Sequence, residues 1–184
     1  MPNHVKNCIT LEGDAEKIQQ MLAQIQNDEF GVGTISFDKI IPMPESVYAG
    51  ELGQKELALH GQNNWHDWRV ANWDTKWDAY GYESGIDYNK SGTLTFFTAW
   101  SAPHAVIEKL AELFPDVKFT HEWADENIGF NCGRYVYKDG KFSEMYYPAS
   151  EEQGIEFAVG IWNLSLKELT ESEEESEEIV QSAM

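Results

Sequence analysis

Residues 93–125, TLTFFTAWSAPHAVIEKLAELFPDVKFTHEWAD, decide the fold of this chain. The stretch opens with an aromatic-rich strand pattern, TLTFFTAW, and closes with a second one, VKFTHEWAD. Between them Pro103 marks the start of a helix and Pro115 its end. The apolar positions of that helix recur at helical spacing and are Val106, Ile107, Leu110 and Leu113. The stretch therefore predicts a strand–helix–strand unit.

A second unit of the same kind is predicted over residues 4–41. HVKNCITLE (4–12) alternates like a strand, Asp14 is a suitable N-cap for the helix that follows, and ISFDKIIP (35–42) reads as another strand. Two such units predict an α+β fold, a ferredoxin-like antiparallel sheet with helices on one face. A C-terminal hairpin, turned at Asp139–Gly140, completes the predicted sheet.

The predicted fold carries a Trp-rich inserted helical segment at about 44–80. We expect a short helix from PMPES (42–46) to about Leu59, and a strand in YGYESGIDYN (80–89). Residues 65–77, WHDWRVANWDTKW, hold four of the seven tryptophans. A single unbroken helix would spread these rings over about half its circumference, which is poor amphipathicity. A helix to about Ala71, then a turn through 72–75, fits better.

Two interpretations of these tryptophans stay open. In the first, the rings cap the open end of the sheet while Asn72 and Lys76 satisfy turn carbonyls. In the second, they line a cleft that stacks a base, a sugar or a peptide proline, with Trp100 as a neighbour. The candidate binding residues are Trp65, Trp68, Arg69, Asn72, Trp73, Lys76, Trp77 and Trp100.

Charge is the strongest compositional signal, with a formal net charge of −19. Residues 151–184 hold ten acidic residues and one basic residue, and residues 1–150 hold 22 and 12, so both parts are acidic. This charge repels phosphate backbones and attracts basic protein surfaces, including those that grip nucleic acid. The alternative is that acidity serves solubility alone. The candidate acidic partner surface comprises Glu151, Glu152, Glu156, Glu171, Glu173, Glu174 and Glu175.

The predicted organisation is one domain over 1–163 and an acidic tail over 164–184. Consecutive like charges oppose helix formation in the tail, so we expect it to be disordered or to become helical on a partner. No apolar run approaches the roughly 20 residues of a membrane helix. The N-terminus also lacks a signal-peptide pattern, so we expect a cytoplasmic protein, in the host cell if a phage encodes it. Cys8 and Cys132 are expected to be reduced thiols.

Catalytic patterns are sparse in this sequence. The histidines show no HExxH or other paired spacing, and no nucleotide-binding glycine motif is present, so neither a metal nor a cofactor is predicted. His66 and Asp67 are adjacent, and adjacent residues on a helix are not expected to face each other. Together with Asp74 they are the site that a hydrolase or nuclease would use.

Four blocks of this sequence resemble one family. They are PNHVKN-x-ITLEG (2–13), FDKIIPMPES (37–46), WRVANWDTKWDAY (68–80) and LTFFTAWSAPHAVIEKLAELFP (94–115). Together they resemble the Api92-like, YubB-type ferredoxin-like domains of phages and conjugative plasmids. The resemblance implies a ferredoxin-like fold and a mobile-element origin, and it supplies no catalytic residues. The family tends to have glycine where this chain has Asp74, which implies a turn with positive φ that aspartate tolerates.

Three functions are compatible with these observations. The first is a non-enzymatic interaction protein of a phage or mobile element, whose acidic surface engages a basic host protein. Its sharper form is an anti-defence inhibitor that mimics nucleic acid or blocks a restriction or RNA-guided (CRISPR) nuclease. The second is an aromatic-cleft binder of a small ligand or nucleotide, and the third is a hydrolase or nuclease.

Overall fold

The computed structural model describes residues 2–86 and 88–164. Its strands are β1 (His4–Glu12), β2 (Thr93–Ala99), β3 (Lys118–Asp125), β4 (Cys132–Lys138) and β5 (Lys141–Tyr146). Its α-helices are α1 (Ala15–Ile25), α2 (Gln54–His60), α3 (Trp65–Trp73), α4 (Tyr88–Ser91), α5 (His104–Leu113) and α6 (Glu151–Trp162). A 3₁₀ turn spans Phe37–Lys39.

The strands form one antiparallel sheet in the order β2-β1-β3-β4-β5. The strand β1 lies between β2 and β3, so that Ile9 is opposite Leu94 on one side and His121 on the other. Because β1 is antiparallel to both neighbours, β2 and β3 run parallel to each other and α5 connects them. This arrangement is the split β-α-β unit of ferredoxin-like folds, and it confirms the prediction made from residues 93–125.

The main core lies between α1, α5 and one face of the sheet. Both helices place apolar side chains at helical spacing against that face, and each fully buried aliphatic side chain contributes roughly 1.5–3 kcal/mol. The Asp14 carboxylate accepts hydrogen bonds from two first-turn amides and fixes the start of α1. The buried contacts include Ile18, Met21 and Leu22 of α1, Val106, Ile107 and Leu110 of α5, and Ile9, Leu94, Phe96 and Phe119 of the sheet.

The helix α6 adds a layer on the opposite face of the sheet, in a stretch for which no element was predicted. Ala158 packs on Ala124, whose side chain points away from the main core because it alternates with Trp123. Trp162 stacks on Phe97, with ring centroids 5.6 Å apart, and its indole N–H donates to the carbonyls of Ala124 and Asp125. The helix therefore covers the end of this face that carries Phe97 and Ala124.

The predicted strand over 35–42 is wrong, because these residues form the 3₁₀ turn and its flanks. Ile35 and Phe37 are buried in the core, which explains their strand-like alternation. Their backbone groups pair with side chains rather than with a strand. Tyr82 Oη accepts from the amide of Ile35, at 3.1 Å, and the Asp78 carboxylate accepts from the amide of Phe37, at 2.7 Å.

The predicted strand over 80–89 is also wrong in the described part of that stretch. Only Tyr80 pairs with the sheet there, through two backbone hydrogen bonds to Phe97 of β2. The expected helix between 42 and Leu59 starts later than predicted, as α2. In contrast, the hairpin turns at Asp139–Gly140 as predicted, with positive φ at both residues.

The segment that follows α3 closes the free edge of β2. The Thr75 hydroxyl donates to the carbonyl of Ala99, at 2.9 Å, and accepts from the amide of the same residue, at 3.2 Å. Five residues later, Tyr80 pairs with Phe97. One buried side chain and one backbone bridge thus occupy the edge position at which an additional strand would pair.

Replacing Thr75 by valine should destabilise the fold, because the change keeps the shape but leaves the buried amide and carbonyl of Ala99 unpaired. We expect the free energy of unfolding to fall by about 1–3 kcal/mol, measured by urea denaturation. Thr75→Ser keeps the hydroxyl and is the matched control. Equal stabilities of the two variants would show that the hydrogen bonds to Ala99 do not hold this edge.

Candidate binding surface

The three tryptophans of helix α3 pack against neighbouring residues. Trp73 is buried, and its indole N–H donates to the carbonyl of Ile41 at 2.9 Å. Trp68 packs edge-on against Trp73, and the guanidinium of Arg69 lies 5.0 Å from the Trp73 ring and 5.3 Å from the Trp65 ring. These four candidate residues therefore form one packed aromatic and cationic layer along α3.

Asn72 and Lys76 make different contacts from those of the first interpretation, in which both side chains satisfy carbonyls of the turn. Asn72 donates to the carbonyl of Trp68, at 2.7 Å, as a side chain near a helix end does. Lys76 instead lies between two indoles, with its Nζ atom 4.0 Å from the ring centroids of both Trp77 and Trp100. We call Lys76, Trp77 and Trp100 the Trp–Lys–Trp cluster.

Trp100 has an unusual backbone for a bulky residue. Its φ is 70°, in the left-handed region, while half of its surface is exposed. This conformation costs roughly 1–2 kcal/mol for a side chain with a Cβ atom. Its amide donates to Asn3, and its carbonyl accepts from Asn131 at 3.0 Å. The surrounding structure therefore holds the indole at the surface, where burial repays little of the cost.

Asp74 ends α3 with φ 62°, which agrees with the positive-φ turn implied by the family resemblance. Its carboxylate does more than tolerate the turn, because it accepts a hydrogen bond of 2.8 Å from the amide of Ala105 in the first turn of α5. Its carbonyl accepts from the hydroxyl of Ser101. An acidic group at a helix N-terminus is stabilising, so Asp74 links the tryptophan segment to the start of α5.

A cavity of about 540 Å³ lies next to this junction. It opens between the start of α5, the loop from β3 to β4, and the segment that leads from β5 into α6. Its lining is aromatic on several sides and also carries polar side chains. We call it the α5–α6 cavity; the lining used below consists of His104, Trp123, Phe130, Asn131, Tyr147 and Glu151.

Two histidines, the partly buried His104 and the fully buried His121, lie at and behind the inner wall of this cavity, and no sequence pattern predicted their contact. His104 lines the cavity, and the ring of His121 lies behind it, with centroids 5.7 Å apart. The Asn7 amide donates to Val5 and Thr98, so its oxygen accepts from Nε2 of His121 at 3.0 Å. His121 is therefore protonated on Nε2 and bare on Nδ1.

Burial keeps this histidine pair neutral. It lowers the pKa of His121 well below the usual value, and the neighbouring His104 lowers it further. Burial also lowers the pKa of His104, although the Asp74 carboxylate opposes that effect. The Nδ1 atom of each ring is buried and without a hydrogen-bond partner among the described residues. The inner wall of the cavity thus carries no positive charge near pH 7.

The candidate acidic surface falls into two parts. Glu151, Glu152 and Glu156 are exposed on the first two turns of α6. The negative charges of Glu151 and Glu152, in the first turn, interact favourably with the positive end of the helix dipole. Ser150 caps the helix through the amide of Gln153. The other four candidates, Glu171, Glu173, Glu174 and Glu175, lie outside the described residues, together with nearly all of the proposed tail.

His66 and Asp67 face each other, contrary to the expectation for adjacent helical residues. His66 Nδ1 lies 3.1 Å from Asp67 Oδ1, because both side chains belong to the first turn of α3 and Asp67 turns back towards Asn64. These hydrogen bonds lower the pKa of Asp67. The third residue of that suggested catalytic site, Asp74, is engaged in capping α5.

The described residues contain no cluster of three or more histidine, cysteine or acidic side chains suited to a metal ion. Across the same residues, no helix has both the length and the apolar character needed to cross a membrane.

Comparison with known families agrees with this fold. The family described as "Ferredoxin-like domain in Api92-like protein" matches residues 72–181, about three fifths of the chain. The chain belongs to this family. The matched range includes the Trp–Lys–Trp cluster and the α5–α6 cavity, whereas β1 and α1 lie before it. No curated protein and no solved structure shows a significant match to the chain.

The pair of His104 and His121 predicts that stability depends on pH between 7 and 5. The unfolded chain binds protons on both histidines below about pH 6.5, whereas the lowered pKa values shift their protonation in the folded chain to lower pH, so this pair makes the free energy of unfolding fall as the pH falls. Each histidine contributes at most about 1.4 kcal/mol per pH unit. Urea unfolding at pH 7, 6 and 5 measures this slope, and His104→Gln should reduce it. An unchanged slope in that variant, or a His104 ring that titrates near 6.5 by NMR in the unmodified protein, would contradict the assignment.

Proposed function

We propose that this chain is a non-enzymatic interaction protein of a phage or other mobile element, and that its acidic surface binds a basic host protein. The observation that carries the proposal is the charge of the chain outside the predicted acidic tail. Residues 1–164 hold 25 acidic and 12 basic residues, a net charge of −13, so the excess is not confined to the tail. A field of this sign steers basic partners towards the protein and repels nucleic acid.

The distribution of ion pairs supports the same proposal. Within the described residues, the ion pairs with lysine or arginine engage five carboxylates, those of Glu12, Asp28, Glu112, Asp116 and Glu122. The three carboxylates at the start of α6 are in none of them, and they are exposed. Carboxylates without an internal cation keep their full attraction for an external one, and three of them lie within the first two turns of α6, which favours this stretch as a contact surface.

The sharper form of the proposal is an anti-defence inhibitor. Proteins that cut foreign DNA carry basic grooves for its phosphates, and a protein with many exposed carboxylates can occupy such a groove or block access to it. The resemblance to phage and plasmid proteins motivates this form. In it, the partner is a restriction or RNA-guided nuclease of the host.

Capture from a host lysate tests the general form. Immobilised full-length protein should retain a basic, nucleic-acid-binding protein in a buffer with about 50 mM salt and lose most of it at about 500 mM, because salt screens charges beyond a few ångströms. Changing Glu151, Glu152 and Glu156 together to glutamine should weaken the capture.

The matched control changes Glu29, Glu45 and Glu83 to glutamine, which removes the same net charge elsewhere on the exposed surface. Capture that ignores salt, or that falls equally in both triple variants, contradicts a defined acidic contact surface. For the sharper form, the purified protein is added to cleavage reactions of a restriction nuclease and an RNA-guided nuclease. Unimpaired cleavage at saturating protein concentration argues against it.

A second candidate function rests on the Trp–Lys–Trp cluster. Trp100 is held at the surface in a costly backbone conformation, and such outliers cluster at functional sites. Two exposed indoles beside an ammonium group can stack a planar ligand such as a nucleobase or a sugar. This candidate makes the protein a binder of a small ligand or nucleotide.

Intrinsic tryptophan fluorescence tests this candidate. A nucleotide or sugar that stacks on the cluster should quench the emission in a saturable manner. Because stacking on an aromatic ring is worth about 1–3 kcal/mol, Trp100→Ala should weaken that affinity at least about fivefold. Trp65→Phe, which changes a tryptophan outside the cluster, serves as the control. Flat titrations across nucleotides and sugars would eliminate the candidate.

A further inference from the structure

The α5–α6 cavity is large enough to accept one or a few side chains of another protein. At about 540 Å³ it falls within the range of pockets that accept drug-sized ligands or a few peptide side chains. Four separate parts of the chain build it: the start of α5, the end of β3, the loop from β3 to β4, and the segment before α6. Gly129 and Gly154 allow the loop and the helix to approach closely, since a Cβ atom on Gly154 would lie 2.5 Å from the carbonyl oxygen of Gly129.

Aromatic rings flank the opening. Phe130 and Tyr147 come from different loops and are 57% and 51% exposed, so a guest that covers them gains apolar contact. Trp123 and His104 form the inner wall with ring centroids 4.4 Å apart in an edge-to-face contact. The Tyr147 hydroxyl pairs with that of Tyr135, which orients its ring. Such rings present negative faces to a cation.

The charge of the lining selects the sign of the guest. No lysine or arginine is among the lining residues, and the one charged side chain is the carboxylate of Glu151. Burial holds the pKa of His104 below its usual value, so the inner wall adds no positive charge. The positive end of the α6 dipole is offset by Glu151 and Glu152 in the first turn. The site therefore favours a cation over an anion.

We propose that the α5–α6 cavity binds an arginine side chain of the basic partner protein, with the guanidinium stacked on Phe130 and Tyr147 and paired with the carboxylate of Glu151. A guanidinium suits this lining better than an ammonium, because it is planar, weakly hydrated, stacks on aromatic faces and pairs with a carboxylate through two donors. The inference rests on the proposed function, since it names the part of the partner that the protein grips.

A pair of short peptides tests the assignment without knowledge of the partner. The probe is acetyl-Gly-Arg-Gly-amide, and its comparison is the same peptide with citrulline, which keeps the planar shape and removes the charge. In titrations of the full ¹⁵N-labelled chain, we expect saturable shifts at the amides of Asn131 and Glu151 and at the indole N–H of Trp123. The citrulline peptide should bind at least about tenfold more weakly.

Matched variants separate the cavity from the general acidity of α6. Glu151→Gln should weaken arginine-peptide binding about tenfold, whereas Glu152→Gln, one residue further along the same helix turn, should change it less than twofold. Phe130→Ala should weaken arginine-peptide binding about as much as Glu151→Gln does. Phe142→Ala, which changes an exposed aromatic residue outside the cavity lining, should leave it unchanged.

Three outcomes would overturn the inference: equal binding of the arginine and citrulline peptides, shifts that map away from the cavity, or equal effects of Glu151→Gln and Glu152→Gln. These outcomes are distinguishable from failure of the proposed function. If salt-sensitive capture of a basic protein persists in the Phe130→Ala variant at wild-type strength, the acidic surface is retained as the contact and the cavity is excluded. If capture fails while the arginine peptide still binds at the cavity, the proposed function fails instead.

Discussion

The pairing of β1 with both β2 and β3 is the constraint on which the rest of this structure depends. The two neighbours are brought parallel by the crossover through α5, and parallel strands with a gap between them leave two rows of backbone groups unpaired. Only β1, from the opposite orientation, fills that gap. The family match starts at residue 72 and contains β2 and β3, but not the strand between them. The N-terminal residues 4–12 are therefore an integral part of this sheet.

The other edge of β2 shows how the fold replaces a regular strand by side chains. The buried Thr75 hydroxyl holds both backbone groups of Ala99, and Tyr80 adds one bridge. Asp78 and Tyr82, from the same segment, pair with the backbone around Ile35 and Phe37. Burial raises the pKa of Asp78, because removing the carboxylate from water is unfavourable. The packing of the core offsets this desolvation cost. The segment after α3 thus joins the sheet edge to the core.

Local sequence patterns predicted the elements that are determined by interactions between residues close in the sequence. The helices α1 and α5 follow from apolar spacing and end signals, whereas the positive φ of Asp74 was implied by the family resemblance. The strand predicted over 35–42 failed because Ile35 and Phe37 alternate like strand residues, while the groups that pair their backbone lie more than 40 residues away. The contact of His104 with His121 depends on how α5 lies over β3. The detectable signal was His121 itself, a polar residue between Phe119 and Trp123 on the core-facing side of a strand.

In the sequence, acidity and the tryptophan-rich segment were competing indications of function. The structure places a different pair of exposed rings, Phe130 and Tyr147, in the lining of one cavity with the acidic Glu151 of α6. Glu151 belongs to the exposed carboxylates of that helix and also lines the α5–α6 cavity. Long-range charge accelerates encounter and rejects partners of the wrong sign, whereas buried aromatic contacts determine how long a complex lasts. A protein with charge alone would bind any basic surface weakly. Under the proposed function, the cavity beside Glu151 would give this acidic surface a shape that a partner must match. The rings would then determine selectivity, and the charge would determine the rate of approach.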